Sequence, residues 1–157
     1  MTVGKTTFVM VGALVAGMAA GWLSKFAVPP KIQVVSYSDA VCGCCRLWAE
    51  HMEANGFEVR EVIASPSQVE GMHEGSGVPA DLRACHFAKV EGRFVVGHVP
   101  ADIVQRMLNE GQAIAGVGVD GMPLGAPGMD TGAQKEPYEV IAIFDDRRTT
   151  VYQQIVH

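Results

Sequence analysis

Hydrophobic and polar positions divide the chain into two unlike parts. From Thr6 to Leu23 the run TTFVMVGALVAGMAAGWL carries no charge, with Lys5 before it and Lys25 after it. At ~1.5 Å per residue such a helix nearly crosses a ~30 Å hydrocarbon layer. Residues 1–26 therefore read as a signal peptide or a membrane anchor that exports the remainder of the chain. Gly17-Met18-Ala19 is a weak cleavage site. The apolar run exceeds the ~7–15 residues usual for a signal core, which favours a retained anchor over residues 6–23. Residues 27–31, containing Val28-Pro29-Pro30-Lys31, read as a linker to one domain over 32–157.

Within that domain the periods change repeatedly. Ile32–Ser38 is rich in Val, Ile and Tyr, and Phe57–Ile63 alternates apolar with charged; both predict strands. Between them Leu47, Trp48 and Met52 recur at helical spacing, so Cys44–Asn55 predicts a helix stopped at Gly56. Residues 65–81 are interrupted by Gly71, Gly75, Gly77 and Pro79 and predict a short helix at most. His86–Val90 and Arg93–Val99, joined by Glu91-Gly92, predict a hairpin. Pro100 opens the helix ADIVQRMLNE. GVGVDGMPLGAPGMDTG, residues 116–132, predicts a long loop, because so many glycines sustain neither a helix nor a central strand. Tyr138–Phe144 and Thr150–Ile155 predict a last strand pair around Asp145–Arg148. The order β-α-β then β-β-α predicts an α/β, thioredoxin-like fold, with the Gly/Met loop and C-terminal strand pair as additions and the apolar leader helix in front.

Charge narrows the partners without naming one. All 17 acidic residues follow Ser38; setting aside Lys5 and Lys25 leaves ten of the 12 basic residues, a formal charge of −7 for the exported part. No basic run points to nucleic acid, and the membrane is engaged only through the N-terminal segment.

Chemistry is concentrated in Cys42-Gly43-Cys44-Cys45, with Cys85 the fourth and last cysteine. In an oxidising compartment an even count defaults to two disulfides, but adjacent cysteines such as Cys44 and Cys45 rarely bridge. Cys42 and Cys45 form a Cys-x-x-Cys pair at a helix start, where the dipole stabilises thiolate and suits disulfide exchange. Cys44 spoils that reading by adding a competing thiol. Cys85-His86 also stands where thioredoxin-like oxidoreductases usually carry a cis-proline. The alternative is metal: in a thioredoxin-like fold the turn before the third strand packs on the first helix, bringing Cys85 to the other three. Soft thiolates select Cu(I), zinc or iron–sulfur clusters. A 3 + 1 grouping is unlike paired zinc knuckles, and Cys-x-Cys-Cys matches no common ferredoxin spacing. Met122 and Met129, in the glycine-rich loop, tip the balance to copper, since thioether suits Cu(I). Met52 and Met107 read as core, and His51 as a surface residue. His98 ends a strand and is a candidate ligand. His86 is a weaker one, pointing away from Cys85 if both lie on one strand. His73, in a glycine-rich turn, is a weak metal trap.

These residues resemble the CopG-type copper-resistance proteins, small periplasmic proteins catalogued as a domain of unknown function. The matching pieces are Cys42–Cys45 with Trp48, Gly77–His86, Gly97–Pro100, Gly121-Met122-Pro123 and Gly128-Met129. The resemblance implies a thioredoxin-like fold and copper held by Cys42, Cys44, Cys45 and Cys85 in a polynuclear thiolate cluster, with Met122, Met129, His98 and His86 as further metal candidates. It implies a role in copper tolerance, in the periplasm beside other copper-handling proteins, with conversion between copper oxidation states as an added activity. The sequence expectation is thus an exported copper-binding protein holding more than one Cu(I). A thiol–disulfide oxidoreductase using Cys42 and Cys45, or an iron–sulfur electron carrier, are the alternatives.

Overall fold

The computed structural model describes residues 30–110, 113–129, 132 and 134–157. The apolar leader and the first linker residues lie outside the described residues. Among the described residues no helix is long and apolar enough to cross a membrane.

Among the described residues a mixed seven-stranded sheet with three α-helices is the framework. The strands are β1 (Ile32–Ser38), β2 (Phe57–Ile63), β3 (His86–Val90), β4 (Arg93–Val96), β5 (Ile114–Val119), β6 (Tyr138–Phe144) and β7 (Thr149–Ile155). The helices are α1 (Gly43–Ala54), α2 (Pro66–Gly75) and α3 (Ala101–Asn109), and Ala80–Leu82 forms one 3₁₀ turn. Across the sheet the order is β2-β1-β3-β4-β5-β6-β7. β1 pairs parallel to β2 and antiparallel to β3, with Ser38 opposite His86. That register sets the start of β3 beside the end of β1, where α1 begins. The β3–β4 turn has positive φ at both Glu91 (47°) and Gly92 (77°), the geometry whose twist suits a two-residue hairpin.

Strand alternation splits the apolar residues onto two faces. Val34, Ala88, Val90 and Val95 face Trp48 and Met52 of α1 and Ile103, Val104 and Met107 of α3. Phe87, Phe94 and Val96 face Val69 of α2. Both faces of the central strands are therefore covered, while β7 at one edge is largely exposed.

Three expectations need correction. The glycine-rich segment does form a central strand: Ile114–Val119 lies between β4 and β6 and is largely buried. Its glycines are there for space. A Cβ on Gly116 would lie 2.3 Å from a Phe94 ring atom, so the ring occupies the volume a side chain would need. The loop proper begins at Asp120. Helix α2 runs ten residues despite Gly71 and Gly75, because both sit in open space and a capping box starts it. Ser65 Oγ accepts from the Gln68 N–H, and the Ser65 N–H donates to Gln68 Oε1. Leu47 also departs from the expected apolar face, being 46% exposed.

Candidate metal centre

The turn from β1 into α1 places the cysteines. Asp39 accepts the Val41 N–H on its carboxylate (3.1 Å) and the Cys42 N–H on its carbonyl (3.1 Å), closing the chain sharply before the helix. Cys42 becomes the residue preceding α1, and Cys44 and Cys45 fall in its first turn, where unpaired N–H groups and the dipole favour thiolate. Trp48, fully buried one turn on, donates its indole N–H to the Val99 carbonyl at 2.9 Å and ties α1 to the β4–α3 connection.

Cys85 arrives from the other side, in the bend ahead of β3. Arg83 anchors that bend, donating from Nε to the Val78 carbonyl and pairing with Glu70 and Glu74 on α2. His73 of α2 donates Nε2–H to the Ala84 carbonyl at 3.0 Å. The four sulfurs converge, with all Sγ atoms within 4.8 Å of one another. Cys42 and Cys45 are joined by a disulfide, with Cα atoms 5.4 Å apart. Cys44 and Cys85 are free thiols, 3.6 Å from Cys42 Sγ and 3.3 Å from Cys45 Sγ respectively. Cys85 has an exposed flank, yet burial around its thiol, reinforced by Cys44 beside it, pushes its pKa up to about 11. Two clefts open onto the group. One, about 270 Å³, is lined by Asp39, Cys42, Val69, Glu70 and Cys85, and the other, about 370 Å³, by Asp39, Cys42, Arg46 and Glu61.

The histidines lie deeper than the sequence suggests. His86 and His98 are fully buried, their rings 5.3 Å apart and edge-to-face, with His86 also against Trp48 at 4.6 Å. His86 was expected to point away from Cys85. Its ligating nitrogen instead joins Cys85 Sγ and a His98 nitrogen within 4.8 Å of one another. The reason is local: Cys85 sits in a bend, so strict alternation begins only at His86. Burial holds the His86 imidazole far below its usual range, at about 3, helped by the neighbouring His98 and His73. His98 and His73 are likewise lowered, chiefly by burial.

His73 belongs to the body of α2 rather than a turn, and its ring packs edge-on against Phe87. His51 is half-buried, not a surface residue. Its Nε2 accepts the Ala101 N–H at 3.1 Å, supplying the acceptor that the start of α3 lacks.

The methionine loop reaches the site through Gly128. A Cβ there would meet the Cys44 carbonyl oxygen at 2.7 Å, the Trp48 backbone nitrogen at 2.9 Å and His98 Nδ1 at 3.3 Å, and Gly128 adopts φ +82°. Met129 is thus one residue from the backbone seated on Cys44. Met122 is 57% exposed and borders a separate cavity of about 600 Å³ lined by Asp81, Asp120, Glu136 and Tyr138, with no cysteine. Of the two loop methionines, Met129 is the one whose neighbouring residue packs on α1 at Cys44. Pro127 and Gly128, which orient His98 and admit the loop, carry no ligand chemistry of their own. Their only sequence signal is the glycine directly before Met129.

The family model described as "Protein of unknown function, DUF411" matches residues 82–129. Two solved structures of "Copper resistance protein copG", form 2 and form 1, superpose with TM-scores of 0.76 and 0.75 at 32% and 31% identity. The matches cover 80% and 81% of this chain and 99% of each of those chains. No curated protein matches.

Proposed function

For a chain that belongs, as this one does, to the CopG-type copper-resistance family, we propose a Cu(I)-binding role in copper tolerance, with Cys42, Cys44, Cys45 and Cys85 as the ligands. The observation that carries the reading is the convergence of four sulfurs from two chain segments within 4.8 Å. Sulfurs so close can each bridge two soft ions, so the cluster holds more than one Cu(I). The fold beneath it is thioredoxin-like, with β1-α1-β2-β3-β4-α3 as its body and β5 to β7 as the addition. The domain works outside the cytoplasm, exported by the leader and held at the membrane by residues 6–23, and exchanges copper with other periplasmic copper-handling proteins.

Copper needs thiolates, so the Cys42–Cys45 disulfide is the unloaded form. A dithiol reductant, itself oxidised to a disulfide, supplies the two electrons and two protons that convert it to the dithiol, and metal uptake then releases the thiol protons. Burial raises the Cys85 thiol to about 11, so copper uptake there, which must displace that proton, strengthens as pH rises. Asp39, Glu70 and Glu61 line the clefts and give the approach a cation-attracting rim. Met129 supplies a thioether at the Cys44 side. Met122, His98 and His86 are the remaining metal candidates.

The same disulfide favours a second reading, a thiol–disulfide oxidoreductase using Cys42 and Cys45. Substituting Cys85→Ser separates the two. It nearly preserves volume but replaces a soft anionic ligand with a hard neutral one. The copper reading expects lost stoichiometry or at least tenfold weaker Cu(I) binding, with circular dichroism unchanged. The exchange reading expects parental copper binding and parental reduction of a model disulfide.

A further inference from the structure

The disulfide that must open before copper enters has one accessible end. Cys45 is buried, while Cys42 keeps part of its surface open and lines both clefts. A reductant therefore meets Cys42 Sγ first. The larger cleft, about 370 Å³, has an apolar wall that the fold does not need. Val41, 89% exposed, and Ile63, 77% exposed, both line it beside Cys42. Single exposed apolar residues are ordinary, but a pair sharing a cleft with a reactive sulfur marks a contact surface. β2 is the outer strand of the sheet, so no neighbouring strand shields Ile63. Gly43, first in α1, has nothing within 4 Å of where a Cβ would stand, which leaves the approach over the helix start open. Val69, in the smaller cleft, is buried and presents no comparable contact.

Charge selects the occupant. Asp39 and Glu61 line the same cleft, and its base, Arg46, is paired with Glu50 at 3.1 Å. The rim left over is acidic, so it complements a segment carrying basic residues as well as apolar ones. We propose that Val41 and Ile63 form the docking surface for a dithiol protein, which seats an apolar, lysine- or arginine-bearing segment in this cleft and reduces the Cys42–Cys45 bridge. The proposal rests on the bridged form being the unloaded state of the four-cysteine site. One thiolate of the dithiol protein attacks Cys42 Sγ, the Cys42–Cys45 bond breaks, and its electron pair leaves on Cys45 Sγ. The free thiol of Cys85, 3.3 Å from Cys45 Sγ, is placed to hydrogen-bond that leaving thiolate. The second thiolate of the dithiol protein then attacks its own sulfur in the mixed disulfide and releases Cys42. The dithiol protein departs as a disulfide, and the two protons it lost end on Cys42 and Cys45. Val41 and Ile63 touch no reacting atom; they set which thiols arrive.

The test uses the full chain, oxidised and metal-free. It is mixed with a dithiol peptide whose cysteines are flanked by leucine and lysine, and separately with dithiothreitol, which is too small to dock. Alkylation and mass spectrometry follow the appearance of the Cys42 and Cys45 thiols beside the two already free. In Val41→Ser/Ile63→Ser the peptide rate should fall about tenfold, the effect of roughly one buried apolar side chain, while the dithiothreitol rate holds within about twofold. Both substituted residues are exposed, and unchanged circular dichroism confirms the fold. Glu61→Lys should slow the lysine-flanked peptide and speed a glutamate-flanked one. Quenched in mid-course, the mixed disulfide should map to Cys42. Equal losses with peptide and dithiothreitol, no loss with either, or a mixed disulfide on Cys45 would overturn the docking surface and leave the copper reading standing. A metal-free protein that shows four free thiols before any reductant is added overturns the bridged unloaded form, and the docking surface with it.

Discussion

Replacing Gly128 with alanine should cost the domain about 2–5 kcal/mol, and the structure supplies each part of that figure. At φ +82° an L-side chain costs ~1–2 kcal/mol that glycine avoids. The new methyl carbon would also stand 2.7 Å from the Cys44 carbonyl oxygen and 2.9 Å from the Trp48 nitrogen. Both are backbone atoms of α1 and cannot swing aside, so overpacking adds ~1–3 kcal/mol. Escape is no cheaper. Lifting the loop breaks the His98–Pro127 hydrogen bond in the interior, leaving groups whose desolvation costs ~1–3 kcal/mol, and uncovers the fully buried Ala126. Gly121→Ala is the control: its φ is +65°, but nothing lies within 4 Å of the added carbon, so only the dihedral cost applies. Urea unfolding of both reduced, metal-free variants, followed by far-ultraviolet circular dichroism, measures the difference. Stabilities equal to within ~0.5 kcal/mol would refute the close seat of the loop on α1. Nitrogen-detected magnetic resonance gives a second reading, since a lifted loop releases His98 from its Nδ1–H tautomer.

Acidification should weaken the metal-free fold. The folded His86 pKa is about 3 against an ordinary 6.5, so the unfolded chain binds more protons between those values and stability falls as pH drops below about 6.5. His86 alone contributes a slope approaching ~1.4 kcal/mol per pH unit; urea melts at pH 7, 6 and 5 should show it, and an unchanged slope in His86→Phe would contradict it. Gly116→Ala should cost ~1–3 kcal/mol by colliding with Phe94. Phe94→Leu should recover much of that loss, so a double-mutant cycle that comes out additive would remove the ring from the explanation.

Much of this was legible from residue patterns. The β-branched run of β1, the alternation of β2, the hairpin at Glu91-Gly92 and the proline ahead of α3 are local signals that the fold obeys. β5 was not legible, because glycine disfavours strands on average and only the distant Phe94 ring explains Gly116. α2 was expected as a short helix at most, because its glycines obscured it; they happen to face open space, and the Ser65–Gln68 capping box that starts it went unread. At the site, the residue types and the Cys-x-Cys-Cys spacing announced thiolate chemistry. The depth of His86 and His98 was not announced, since burial depends on what α1 and the loop place over them. The same holds for His51, whose partner Ala101 lies fifty residues away. The Cys42–Cys45 bridge was one of several pairings the sequence left open.

The central claim is that four converging cysteines hold copper as Cu(I), and one measurement meets it directly. Full-length protein, reduced and handled without oxygen, is titrated with Cu(I) against a competing chelator, and the saturated sample is examined by X-ray absorption at the copper edge. The account predicts saturation above one equivalent per chain, with sulfur the dominant neighbour and copper–copper scattering from bridged ions. Saturation at or below one equivalent, or a first shell without sulfur, would contradict it.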